Sequence, residues 1–159
     1  MSLWCVVLFP LAAQARVLMT QQQALASAFP AGIKVTRQTI FLTAEQAKAA
    51  GVETQLVIRY AGSNGSFAYF DTHRVRTEPE TVMVVVNADG KIDRVDILSF
   101  DEPTDYFPKR RWLDQFRGRK LDDDLSLNRA IRPMSGASLT GRAIVNASRK
   151  ILAIHNAIK

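Results

Sequence analysis

Cysteine is almost absent: Cys5 is the one thiol in 159 residues. It lies in an apolar run, Leu3 to Ala13, that ends in the small-x-small triplet Ala13-Gln14-Ala15. This reads as a secretory signal peptide, residues 1–15, cut before Arg16. The run is shorter than the ~20 apolar residues a bilayer-spanning helix needs. With Cys5 gone, the mature chain has no disulfide and no iron–sulfur ligand set. Histidine is scarce too. His73 and His155 lie far apart, and no H-E-x-x-H or comparable pair supports zinc. There is no C-x-x-C-H for haem attachment, no G-x-S-x-G for a serine nucleophile, and no G-x-G-x-x-G for a nicotinamide dinucleotide. Any redox chemistry therefore needs an organic cofactor of another class.

What is present suits one globular domain. Hydrophobic residues make up 47% and charged residues 23%, too apolar for a disordered chain. Net charge is +6, from 21 basic and 15 acidic residues, and residues 1–15 contribute none of it. Such a balance suits anionic lipid heads or acidic partners, while export argues against nucleic acid. The one basic cluster, Lys109-Arg110-Arg111, reads as a solvated face.

Along the chain, Thr20 to Ala28 reads as a short helix and Lys34 to Leu42 as a strand. Thr43 and Gln46 form a capping box for a helix over 44–50 that stops at Gly51. Strands follow at Val52 to Tyr60, Phe67 to Val75, Thr81 to Asn87 and Lys91 to Phe100, with turn signals at Ser63-Asn64-Gly65 and Asp89-Gly90. Arg110 to Phe116 reads as a short amphipathic helix. The expected architecture is α+β: an antiparallel sheet of about four strands packed with helices. Three segments are expected: the leader 1–15, an N-terminal helix/strand extension over 16–51, and the main domain over 52–159.

The most informative segment is Ser135-Gly136-Ala137-Ser138-Leu139-Thr140. From Leu139 on, Ile144, Val145, Ile151, Leu152, His155 and Ile158 recur at helical spacing, so the segment is the approach and first turn of a long helix. A first turn offers free backbone N–H groups and the positive end of the helix dipole, which suits a phosphate. Gly136 and Ala137 let the backbone come close. The bland alternative is that these hydroxyls only cap the helix.

The six residues resemble the S-G-A-T-x-T signature of the FMN-binding domain family, which includes the G subunit of Rnf complexes and the C subunit of the Na+-translocating NADH:quinone reductase. The likeness extends over roughly residues 62–156. It implies FMN as cofactor, joined to Thr140 by a phosphoester bond, with Ser135, Gly136, Ala137, Ser138 and Leu139 around the phosphate. It implies a flavin transferase and a membrane-bound electron donor or acceptor as partners, and a place in the periplasm or on the extracytoplasmic face of the membrane. Arg132 stands where the family commonly has Asp, and Ser138 where it commonly has Thr. The aromatic residues Trp112, Tyr106 and Phe107 are candidates to pack on the flavin ring, and Glu102 and Asp105 to bond its edges. Against this, Trp112 and Phe116 sit at i, i+4, the spacing of a core pair. Asp122-Asp123-Asp124 lacks an EF-hand spacing and reads as a solvated loop or cap. His155 falls on the apolar face of its helix, as a hydrogen-bonded core histidine would.

Overall fold

The computed structural model describes residues 16–159, so the expected leader and Cys5 lie outside the described residues. Five strands form one sheet: β1 Val35–Phe41, β2 Leu56–Gly62, β3 Phe67–Val75, β4 Glu78–Val86 and β5 Ile92–Phe100. They follow one another as an antiparallel meander in the order β1-β2-β3-β4-β5. The count is five because β1 pairs with β2 along its whole length, from Val35↔Gly62 to Phe41↔Leu56. Residues 35–41 thus belong to the same sheet as the strands that follow.

Helices cover both faces. Helix α1, Gln21–Ala28, packs on one, and α2, Ala44–Ala50, with the long α4, Ser138–Ala157, covers the other. Strand β4 dictates this arrangement. Val82, Val84 and Val86 face α4 and join Ile144, Ile151 and Leu152, while Met83 and Val85 face α1 and join Ala24, Phe29 and Leu98. A strand apolar on both sides has no solvent face and needs two covering layers. Each fully buried side chain of this kind contributes about 1.5–3 kcal/mol.

Several boundaries differ from the sequence reading for local reasons. Strand β2 starts at Leu56 rather than Val52 because the Val52 N–H still bonds the Ala47 carbonyl after the left-handed Gly51, and the Thr54 hydroxyl accepts the Leu56 N–H. The expected helix over 110–116 is one α turn, α3 Arg110–Leu113, that tightens into a 3-10 turn over Asp114–Phe116. Such tightening is common where a short helix ends. The capping box at Thr43 and Gln46 forms as read, and Thr20 with Gln23 makes a second one.

The two sheet edges differ. Along β5, Val17 bridges Ser99 and the Leu18 N–H bonds the Leu98 carbonyl. Strand β1 has no outer neighbour among the described residues. Beside that edge Phe41 is 76% exposed, and Leu56 and Ile58 are exposed on the same face. No helix among the described residues is long and apolar enough to cross a membrane.

Candidate functional site

Helix α4 begins within the motif. Ala137 is its N-cap and makes no side-chain cap, so Ser138 is the first helical residue. The backbone N–H groups of Ser138, Leu139 and Thr140 find no acceptor among the described residues, and the first closed bond runs from the Gly141 N–H to the Ala137 carbonyl. The hydroxyl-capping alternative is therefore not what the structure adopts. Gly136 has φ +76°, and its missing Cβ leaves open space with no atom within 4 Å. That left-handed conformation favours glycine. An exposed Ser138 and three free donors at the positive end of a 20-residue helix suit a phosphate.

The β3–β4 hairpin and the loop after β5 supply the surroundings. Val75, Arg76, Glu102 and Tyr106 enclose a small cavity of about 20 Å³ against Gly136 through Thr140. Arg76 lies over the Tyr106 ring, 5.8 Å from its centroid. Thr140 itself is only 2% exposed. Val75, Arg76 and Leu139 continue into a larger cleft of about 310 Å³ between β3 and α4, whose walls include Asp71, Arg142 and Lys150. The helix start suits a phosphate group, and of these two cavities the larger is the one with room for a ring.

At one end of that cleft lies a charged cluster the sequence reading missed. His73 Nδ1 is 3.0 Å from Asp71 Oδ2, and its Nε2 is 2.9 Å from Glu80 Oε2. Lys150, from α4, pairs with the other oxygen of Asp71. Glu80 is buried, and its second oxygen has no partner. With a carboxylate on each ring nitrogen, the imidazole is held as a double donor. Burial works against the imidazolium, but the hydrogen bonds to Asp71 and Glu80 outweigh it and raise the His73 pKa to about 9. Burial also opposes ionisation of Asp71, yet hydrogen bonds from His73 and Lys150 hold it below the usual carboxylate range. Desolvation pushes Glu80 up, against the pull of His73. The hairpin register places His73 opposite Glu80, and Asp71 is two residues away on the same face. Alternation along β3, together with a two-residue turn at Arg76-Thr77, is the signal that would have found the cluster.

The remaining candidates fall elsewhere. Tyr106 lies at the motif. Trp112 lies outside both cavities described above: its ring packs edge-on against Phe116, and its Nε1–H donates to the Arg132 carbonyl at 2.7 Å. Phe107 packs on Phe100, and Glu102 borders the motif cavity whereas Asp105 is exposed. His155 is a bonded core histidine, 2.9 Å from the Tyr69 hydroxyl, and burial lowers its pKa to about 4. Asp122 Oδ1 accepts the Asp124 and Leu125 N–H groups, a turn cap. Among the described residues no group of acidic, histidine or cysteine side chains is placed to hold a metal.

Residues 77–153 match the family model of the FMN-binding domain. These residues are an FMN-binding domain. The matched stretch runs from the β3–β4 turn through the motif to the last turns of α4, so it contains the helix start and most of the cleft. No match was found among curated proteins or solved structures. FMN is the cofactor of the FMN-binding domain.

Proposed function

We propose that this protein is an exported electron carrier whose FMN is tethered to Thr140 by a phosphoester bond. The observation that carries this reading is the uncapped first turn of α4. Three free N–H groups surround the residue that the family signature uses as acceptor. The N–H groups of Ser138, Leu139 and Thr140 would hold the phosphate, while Arg76 adds positive charge at the same mouth. The β3–α4 cleft would receive the ring. When bound, FMN supplies one- and two-electron chemistry, and the protein supplies placement and electrostatics.

Attachment requires a separate flavin transferase acting on FAD. The Thr140 hydroxyl attacks the phosphorus of the FMN half, the pyrophosphate bond breaks, AMP leaves, and the hydroxyl proton is lost. Because Thr140 is buried, the residues that enclose it have to part for the transferase, so attachment precedes or interrupts closure of this mouth. A tether suits an exported carrier, since a lost flavin is not replaced outside the cytoplasm. The partners would be that transferase and a membrane-bound electron donor or acceptor.

The edge of β5 supports export. The Arg16 N–H donates to Asp101 Oδ1 at 2.6 Å, and the Arg16 carbonyl accepts from the Phe100 N–H. A cut before Arg16 would turn that N–H into a terminal ammonium facing a carboxylate.

The decisive experiment expresses the full chain with a flavin transferase and weighs the exported product intact. The expected result is a chain beginning at Arg16 and carrying the mass of FMN, which is absent in Thr140→Ala. A yellow protein of unmodified mass would replace the tether with noncovalent binding. A colourless one would overturn the electron-carrier reading.

A further inference from the structure

Two oddities of the sequence, the Lys109-Arg110-Arg111 cluster and the reversed charge at Arg132, meet in one place. Lys109, Arg111, Arg119, Arg129 and Arg132 line an open cleft of about 690 Å³ beside α3, and among the described residues no carboxylate lines it. Trp112 forms part of its wall. The Trp112 bond to the Arg132 carbonyl, and a 2.9 Å bond from the Arg132 N–H to Gln115 Oε1, fix segment 132 against α3. Among the described residues, the side chains of Lys109, Arg111 and Arg132 make no hydrogen bond or ion pair. The nearest acids do not neutralise the cleft. Asp114 is engaged by Arg110 at 2.8 Å, and Asp124 lies 3.8 Å from Arg129 with both side chains exposed. Five of the chain's 21 basic side chains thus meet in one concavity.

We infer that this cleft is a docking site for a protein partner presenting a carboxylate-rich face, seated beside the motif helix. Three observations select that occupant. The five cations are exposed rather than buried, and Lys109, Arg111 and Arg132 have no partner among the described residues, which suits a partner that arrives by long-range attraction and leaves readily. A compact phosphate ligand would call for buried, directed donors instead. The site is concave, and its only large apolar side chain, Trp112, is half-buried and already bonded. A lipid surface is met by convex elements with exposed apolar side chains. The Trp112 ring also lies beside Gly141, the neighbour of Thr140, where an added Cβ would come within 3.4 Å of it. A partner in the cleft therefore lies against the turn that would bear the flavin, where a redox partner has to be. That last point rests on the electron-carrier reading; the docking site does not.

The test uses the protein from Arg16 on, without flavin, so that failure of FMN loading leaves it intact. An oligoglutamate peptide is titrated while backbone amide shifts are followed. Shifts concentrated in residues 109–132 are expected, with binding that weakens steeply from about 0.01 to about 1 M salt as the screening length falls from about 30 to about 3 Å. The triple variant Lys109→Glu/Arg111→Glu/Arg132→Glu should lose about tenfold or more in affinity. A control of equal charge change on a distant face, Lys34→Glu/Arg37→Glu/Lys48→Glu, should lose much less. Equal losses in both variants, shifts scattered over the surface, or no binding would overturn the proposal. So would binding to phosphatidylglycerol vesicles through the same residues with no response to the peptide, which would make the cleft a membrane contact.

Discussion

The two clefts flanking the motif treat charge in opposite ways. Beside α4, Asp71, His73 and Glu80 form a largely buried set that the more exposed Lys150 joins from outside, and both cations meet a carboxylate. Beside α3, five cations line an open cleft that no carboxylate shares. In the first, burial makes an unpaired charge costly, so the groups are stabilising only together. In the second, water solvates each charge separately, and removing one leaves nothing stranded. The same residue types therefore hold the fold in one place and reach outward in the other.

The largest effect that would break this contrast is in the buried set. His73→Leu leaves Asp71 and Glu80 facing each other without their shared proton carrier, and a loss of about 3–5 kcal/mol in unfolding free energy is expected. Urea denaturation measures it, and a loss below about 1 kcal/mol would mean the set is solvated after all. Next is the pH profile of stability. His73 holds its proton more tightly in the fold, up to about 9 from 6.5, so its contribution is full below about pH 6.5 and is lost as pH rises towards 9. His155 is depressed to about 4, so stability is full above about pH 6.5 and falls as pH drops towards 4. Melting temperature against pH should show both limbs. The alkaline limb should flatten in His73→Gln and the acid limb in His155→Gln.

The exposed cleft should respond far less. Lys109→Glu/Arg111→Glu/Arg132→Glu is expected to change unfolding free energy by about 0.5 kcal/mol or less, as surface substitutions away from special features do. Its effect belongs to binding. Smallest is the β5 edge. Asp101→Asn should lower the melting temperature of the chain that begins at Arg16 by a degree or two, an exposed ion pair contributing about 0.2–1 kcal/mol, and should leave the uncut precursor unchanged. Differential scanning fluorimetry of both forms checks this.

Local signals made much of the molecule readable. The Thr43 and Gln46 box, the turn at Asp89-Gly90 and the period of α4 each lie within a few residues and describe one element. The motif was legible for the same reason, and so was the place of His155 on the apolar face of α4. What stayed hidden depends on register and distance. Glu80 meets His73 only through the register that the Arg76-Thr77 turn sets, a weaker signal than a Gly or Pro turn and one visible only when both strands are read together. The basic cleft joins residues more than twenty positions apart, and its sign emerges only when α3 meets segment 132. Trp112 shows the ambiguity of a pattern shared by two roles: its i, i+4 spacing with Phe116 is a core pair, yet its outer face forms a cleft wall.

The unequal edges of the sheet set how the protein behaves when crowded. On the β5 side, residues 16–18 occupy the border, so no foreign strand can add there without displacing them. On the β1 side no strand among the described residues pairs with the outer border, which lies next to the exposed Phe41, Leu56 and Ile58. Such a border is a template for strand addition between molecules. The exposed Arg37, midway along β1, is the charge that keeps two such borders apart. At high protein concentration, the first self-association of this molecule should begin at β1 and grow as salt screens Arg37.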